Sequence, residues 1–304
     1  MIACTPPTEH RTEAHLSLGP DGDYHLAIGS PEIGNGSTTV RHQIVATILG
    51  TSLSRVVSIQ ADTDRTGYDT GPFGSAGTSV AAKAVQQAAE ALRERIFDFA
   101  ARHCGAGRDQ CFMEADAVNC GGTRLGLADL FEAAREAGQP LEVVRKAYGS
   151  PRTVAFNVHG FRIAVHCVTG EIRILHSVQG VDAGVVINPV QLRGQVEGGI
   201  AQGVGIALYE KIVYNQEGRV VNPTFRHYRI PAFADVPRSE VFFAKTADAY
   251  GPLGAKSMSE APINAVAPAL ANALADATGI RFHELPLAPD RIYAAIYDRH
   301  GPGG

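Results

Sequence analysis

The residues best suited to chemistry lie in one stretch, Gly251-Pro252-Leu253-Gly254-Ala255-Lys256-Ser257-Met258-Ser259-Glu260-Ala261-Pro262. A glycine-punctuated loop here delivers one lysine, two serines and one glutamate, and an Ala/Leu/Asn-rich segment follows at residues 263–277. That segment predicts a helix with Pro262 near its first turn, where a missing N–H costs nothing. Glu260 then sits at the positive end of the helix dipole, which favours the carboxylate over the acid. A carboxylate so held can take a proton from a substrate or from bound water. The plainer reading of the same residues is a helix start, with Ser259 as cap and Glu260 as dipole partner.

Two further glycine loops run into predicted helices. Glu32-Ile33-Gly34-Asn35-Gly36-Ser37 precedes a helix expected over 38–49, with Ser37 as its cap and Gly50 as its stop. The N–H groups of Gly34 and Gly36 would lie bare at the helix start, a cradle for phosphate or another anion, although the dinucleotide fingerprint is not matched. Residues 62–77 form a polar loop before a long helix expected over 78–103, whose Val80, Val85, Ala88, Ala89, Leu92 and Ile96 share one face. Within that loop Phe73-Gly74-Ser75-Ala76-Gly77 approaches the nucleophile elbow Gly-x-Ser-x-Gly, but Phe73 stands where the first glycine belongs. A serine hydrolase built on Ser75 is therefore a competing reading, against a plain helix-capping loop. A fourth glycine cluster, Gly194-Gln195-Val196-Glu197-Gly198-Gly199 with Gln202-Gly203-Val204-Gly205, falls inside a helix predicted over 190–209. Each such glycine costs about 1 kcal/mol against alanine. A helix accepts that cost where a neighbouring backbone or a ligand comes close.

The elements that must carry these loops form an α+β pattern. Alternation predicts a hairpin over 13–18 and 24–28, and strands over 56–60 and 111–118; a helix is expected over 127–137. Gly149-Ser150-Pro151 is the best boundary between two lobes, 1–150 and 151–304, the second carrying Glu260. Beyond it strands are expected over 153–158, 161–167 and 172–178, with short ones over 212–214, 220–221, 228–231 and 241–243. The opening hairpin has no obvious partner upstream. A preceding segment is thus expected, either in the same protein or as a separate chain.

Composition narrows the class of function. Of 304 residues, 45% are hydrophobic and 19% charged, which describes an ordinary globular chain with ample core. A net charge of −4 without any Lys/Arg run argues against nucleic-acid or anionic-membrane partners. No apolar stretch approaches the roughly 20 residues of a membrane helix. The start of the chain lacks a signal-peptide pattern, so the cytoplasm is the expected compartment. Cys4, Cys104, Cys111, Cys120 and Cys167 include no Cys-x2-Cys pair, and are expected as buried or unreactive thiols in a reducing compartment. No histidine pair has ligand spacing either, so any metal would be held other than by dedicated side chains.

Taken in order, the loops resemble those of the xanthine dehydrogenase/aldehyde oxidase family, the molybdenum hydroxylases, specifically the C-terminal half of their molybdopterin-binding subunit. Glu32-Ile33-Gly34-Asn35-Gly36 is similar to the family's E-x-G-Q-G, and Asp62-Thr63 with Tyr68-Asp69-Thr70-Gly71-Pro72-Phe73-Gly74-Ser75 to its D-T…Y-D-x-G-x-F-A-S. Asp182-Ala183-Gly184 through Asn188-Pro189 and Gly194-Gln195-Val196-Glu197-Gly198 match D-x-G…N-P…G-Q-x-E-G. Gly251 to Pro262 is similar to G-P-x-G-A-K-G-x-G-E-x-P, and Leu285-Pro286 with Pro289-Asp290-Arg291 to the family's L-P…P-E-R end.

The resemblance implies a two-lobed molybdopterin-binding domain of mixed sheets with packed helices. It implies a molybdopterin cofactor, the cytosine dinucleotide form among the candidates, whose dithiolene holds the molybdenum so that the protein supplies no metal ligand. Glu260 is implied as the general base of an oxidative hydroxylation that takes its oxygen from water, on an aldehyde or an N-heterocycle. Gln195 and Lys256 are implied as cofactor contacts, together with Asn35, Gly36, Ser37, Gly74, Ser75, Ala76, Gly77, Thr78, Ser257 and Ser259. Partners implied are the N-terminal half of the molybdopterin subunit, a [2Fe-2S] subunit and an FAD subunit. Asn35 departs from the family's glutamine, and Ser257 and Ser259 from two glycines. A non-catalytic scaffolding subunit that keeps the fold is the alternative.

Overall fold

The computed structural model describes residues 2–5 and 9–301. Its first half is a sheet in the order β4-β3-β2-β8, where β1 is Ile2–Thr5, β2 Arg11–Leu18, β3 Tyr24–Ile28, β4 Val56–Gln60 and β8 Glu142–Tyr148. The expected hairpin is β2 and β3, paired antiparallel with Leu16 opposite Leu26. Helix α1 (Ser37–Leu49) crosses from β3 to the parallel β4, which makes a βαβ unit. A π-helical turn, Gly77–Ala82, runs into α2 (Lys83–Cys104). Alternation along β2 buries Ala14, Leu16 and Leu18 against Ile44 and Leu49 of α1 and Val85, Leu92 and Ile96 of α2. Strands β5 (Cys111–Glu114), β6 (Ala117–Cys120) and β7 (Thr123–Gly126) form a small meander before α3 (Leu127–Glu136).

A second sheet has the order β1-β9-β10-β11, with β9 Thr153–Val165, β10 Ile172–Asp182 and β11 Ser239–Phe243. Helices α4 (Pro189–Leu208), α5 (Ala261–Asn264), α6 (Val266–Thr278) and α7 (Pro289–His300) complete this half. Its core joins Ala155 and Val181 of the sheet to Val196, Ile200 and Val204 of α4 and Val266, Leu270 and Leu274 of α6. The glycines of α4 have the reason expected of them. A Cβ on Gly203 would lie 2.5 Å from the Cβ of Val266, so α4 and α6 approach more closely than any larger residue allows.

The structure corrects several expectations. Residues 111–118 are two strands rather than one, because Ala115 turns the chain at φ 48°. The strands expected over 153–158 and 161–167 are one strand that ends at Val165, since Gly160 continues the ladder opposite Val178. The helix expected over 263–277 is broken at Ala265 into α5 and α6. Pro268 explains the break: its ring would meet the carbonyl of Asn264 and it has no N–H to donate. Residues 212–221 make only a bridge between Tyr214 and Val220, and 228–231 form no strand. Cys111 and Cys120 are direct cross-strand neighbours joined as a disulfide, not separate thiols, whereas Cys104 and Cys167 are free. The side chain of Cys4 lies outside the described residues.

Candidate functional site

One cleft gathers most of the residues that the sequence singles out. The start of α1 contributes Asn35 and Ser37, and the entry to the π-helical turn contributes Ser75, Gly77 and Thr78. Helix α4 contributes Gln191 and Gln195, and the loop before α5 contributes Lys256, Ser257 and Ser259. Asn188 orients α4: its Oδ1 accepts from the N–H of Gln191 at 3.1 Å as an N-cap, and its Nδ2 donates to Gln43 of α1 at 3.1 Å. Gly184 lets the two loops meet. It sits at φ 64°, and a Cβ there would lie 2.3 Å from the carbonyl oxygen of Gly254. Backbone bonds from Val185 to Gly254 and from Lys256 to Ala183, both 2.8 Å, zip the segments together.

The first glycine loop differs from its expected role. The carboxylate of Glu32 accepts from the N–H groups of Gly34 at 2.8 Å, Gly36 at 3.0 Å and Thr38 at 2.9 Å, and from the Ser37 hydroxyl at 3.2 Å. The anion cradle is thus filled by the chain's own carboxylate, and Glu32 rather than Ser37 caps α1. Burial alone would raise the pKa of Glu32; the N–H donors of Thr38, Gly36 and Gly34 outweigh it and hold the carboxyl below its usual range. Gly36 faces Gln191 and not the cleft, because a Cβ there would meet the Gln191 side chain at 2.5 Å. Asn35 does line the cleft, its Oδ1 accepting from the N–H of Ser37 at 3.2 Å.

Lys256 is not free either. Its ammonium lies 2.7 Å from Asp182 Oδ2, a partner 74 residues away that no local sequence signal points to. Burial would raise the pKa of Asp182, but Lys256, the Thr246 hydroxyl and the Gly184 N–H together hold it below the usual carboxylate range. Apart from one internally balanced lysine the lining of the cleft is therefore uncharged, and it mixes amides and hydroxyls with apolar side chains such as Val40, Val186, Ile187, Leu192 and Met258. Ser257, buried, accepts from the N–H of Ser79 at 2.9 Å and so ties the loop to the π-helical turn. Ala76 turns into the first core and takes no part in the lining.

Glu260 is exposed, yet it is fastened to the second glycine loop. Ser75 Oγ donates to Glu260 Oε2 at 2.8 Å, and the Glu260 N–H donates back to Ser75 Oγ at 3.3 Å. Ser259 Oγ lies 2.8 Å from the same oxygen. The single Ser75 proton goes to the carboxylate, so Ser259 is the donor in that pair. With one donation and two acceptances Ser75 Oγ has no capacity left, and its partners include no histidine. The hydrolase reading fails on this point. Glu260 caps only the four residues of α5, so the dipole behind it is that of one turn, not of the long helix expected.

The cleft suits a ligand dense in hydrogen-bonding groups. Among the described residues the Gln195 side-chain amide forms no hydrogen bond, and the buried Oε1 of Gln191 has no partner. These unspent amides, the hydroxyls of Ser37 and Thr78 and the Gly77 backbone fit the edges of a pterin. No group of three or more His, Cys, Asp or Glu residues placed to hold a metal occurs among the described residues. No helix among them is long and apolar enough to cross a membrane.

Residues 1–237 match the family model of the molybdopterin cofactor-binding domain. The chain is 33% identical over 295 residues to the putative xanthine dehydrogenase molybdenum-binding subunit XdhA of Escherichia coli (strain K12), covering 93% of this chain and 39% of the relative. It is 28% identical over 309 residues to the large subunit of nicotine 6-hydroxylase of Paenarthrobacter nicotinovorans, covering 95% and 38%. Quinoline 2-oxidoreductase from Pseudomonas putida 86 superposes with a TM-score of 0.87 at 27% identity, over 97% of this chain and 39% of that one. The Cu,Mo-CO dehydrogenase shares the fold with a TM-score of 0.87 at 23% identity, over 100% of this chain and 41% of that one. The chain spans about two-fifths of the length of these relatives.

Proposed function

We propose, for a chain that belongs to the molybdopterin cofactor-binding domain family of the molybdenum hydroxylases, that it forms one part of the active site of an oxidative hydroxylase. The overall conversion is a carbon-bound hydrogen and water giving a carbon-bound hydroxyl, two protons and two electrons. An aldehyde or the carbon beside nitrogen in an aromatic heterocycle is the substrate class, and partner-borne [2Fe-2S] clusters and FAD take the electrons. The remaining part of the site is supplied by an N-terminal half, in the same protein or in a neighbouring subunit. The cofactor, when bound, supplies the two-electron oxidation through its molybdenum.

In this reading Gln195 and Gln191 hold the pterin edges through amides that donate and accept at once. Ser37, Gly77, Thr78 and the 256–259 loop close around it. Glu260 accepts the proton released as water is activated, and the Lys256–Asp182 pair fixes the loop that carries it. One observation supports the reading most. Three loops far apart in the sequence converge on one uncharged cleft that mixes amides and hydroxyls with apolar walls, and the carboxylate at 260 is tied to a residue of that cleft.

The test is to co-express the chain with its genomic neighbours and measure molybdenum and pterin in the purified assembly. Near-stoichiometric cofactor, with dye reduction by benzaldehyde or hypoxanthine, is expected. An assembly that forms without molybdenum or pterin would contradict the proposal and leave the scaffolding role.

A further inference from the structure

We infer that Ser75 is the residue that positions Glu260 for proton transfer, an inference that rests on the reading of Glu260 as the proton acceptor. An exposed glutamate at a four-residue helical turn has three free torsions, and nothing in α5 itself selects one direction for its carboxylate. Ser75 supplies that selection from the other half of the chain. Its one proton goes to Oε2 of Glu260, while its oxygen takes the Glu260 N–H and the Ser259 hydroxyl. The same atom thus fixes both the backbone and the side-chain end of the glutamate, across a sequence separation of 185 residues.

The arrangement has a cost that points the same way. Ser75 holds φ 57°, a left-handed conformation that is strained for any residue but glycine. Glycine would fill the position without that cost but would bring no hydroxyl. The neighbouring Gly74, at φ 63°, shows that the turn accepts glycine. Ser75 is 3% exposed, and its hydroxyl is already saturated within the chain, so it has nothing left to offer a cofactor. It acts on the reaction through Glu260 and is a positioning residue. This replaces the direct cofactor contact expected of it from the resemblance.

The experiment uses Ser75→Gly and Ser75→Ala, which both remove the hydroxyl while only the first suits the backbone. In the purified chain, carboxyl labelling with a carbodiimide and glycine ethyl ester is followed by mass spectrometry at Glu260, with exposed Glu217 as the internal reference. In the assembled enzyme, kcat and KM are measured with benzaldehyde and hypoxanthine, together with molybdenum content. In both variants relative labelling of Glu260 is expected to rise at least threefold. For whichever probe is turned over, kcat is expected to fall tenfold or more, with KM and molybdenum within twofold of the parent. Unchanged labelling in both variants overturns the inference, as does an effect confined to Ser75→Ala, which would be backbone strain. Loss of molybdenum in Ser75→Gly also overturns it, by making Ser75 a cofactor seat. If Glu260→Gln turns over at the parent rate, the reading of Glu260 has failed and the catalytic meaning of Ser75 falls with it, whatever the labelling shows.

Discussion

The Lys256 ammonium sits 2.7 Å from Asp182 Oδ2, with the two side chains only 9% and 16% exposed. The pair crosses 74 residues of sequence and clamps the 256–259 loop to the end of β10. Its energetic value lies in being complete. Lys256→Met leaves the Asp182 carboxylate with the Thr246 hydroxyl and the Gly184 N–H but no cation, and is expected to cost about 3 kcal/mol, the low end for breaking a buried pair from one side. Lys256→Met combined with Asp182→Asn should recover at least half of that in urea denaturation. Additive losses would mean that the two charges do not act as a pair.

Glu32 is the cap of α1, and Ser37 only contributes to it. Glu32→Ala is expected to lower stability by about 1 kcal/mol, the usual value of a lost N-cap. Ser37→Ala should lose less than half as much in thermal denaturation, since three of the four contacts to Glu32 survive it. Equal losses would return the capping role to Ser37.

Two glycines of α4 should respond to alanine with opposite signs. At Gly203 a Cβ would press on Val266 at 2.5 Å, and overpacking of about 1–3 kcal/mol outweighs the helix-propensity gain. At Gly198 no atom of the described residues beyond the helix's own nearby backbone lies within 4 Å of the same position, so Gly198→Ala should gain up to about 1 kcal/mol in this chain. Melting temperatures moving in the same direction would refute the packing argument.

Acid should act on the second sheet through His159. Burial pushes its pKa down to about 4 from the ordinary 6.5, while its Nε2 lies 2.9 Å from Ser177 Oγ. The folded value is the lower one, so the unfolded chain takes up the proton first. Stability tied to neutral His159 is therefore complete above about pH 6.5 and declines as the pH falls toward 4. His159→Gln should flatten that part of the stability profile, and an unchanged slope would place the titrating group elsewhere.

What could be read from residues alone follows the range of the forces involved. The β2–β3 hairpin, α1, α3 and α4 were legible because alternation, helical period and terminal glycines act within a few residues. Pro268 was equally visible, and its clash with the carbonyl of Asn264 could have revealed the break between α5 and α6. The fate of the Gly34–Gly36 cradle also had a local signal in Glu32, a carboxylate two residues upstream. The partners of Lys256 and Glu260 had none. Asp182 and Ser75 lie 74 and 185 residues away, and only the folded sheets bring them within reach. The resemblance nominates Asn35, Ser37, Gly77, Thr78, Gln195 and the 256–259 loop, which line the cleft, but it also nominates Gly36, Gly74 and Ala76, which do not, and it passes over Gln191.

Glu260 is proposed as a proton acceptor that the cofactor does not need for binding. The direct measurement is turnover and molybdenum content of the assembled enzyme carrying Glu260→Gln. At least a thousandfold loss of kcat with molybdenum and pterin at parent levels is the predicted result. Turnover within tenfold of the parent, or a loss of activity that merely follows lost molybdenum, would contradict it.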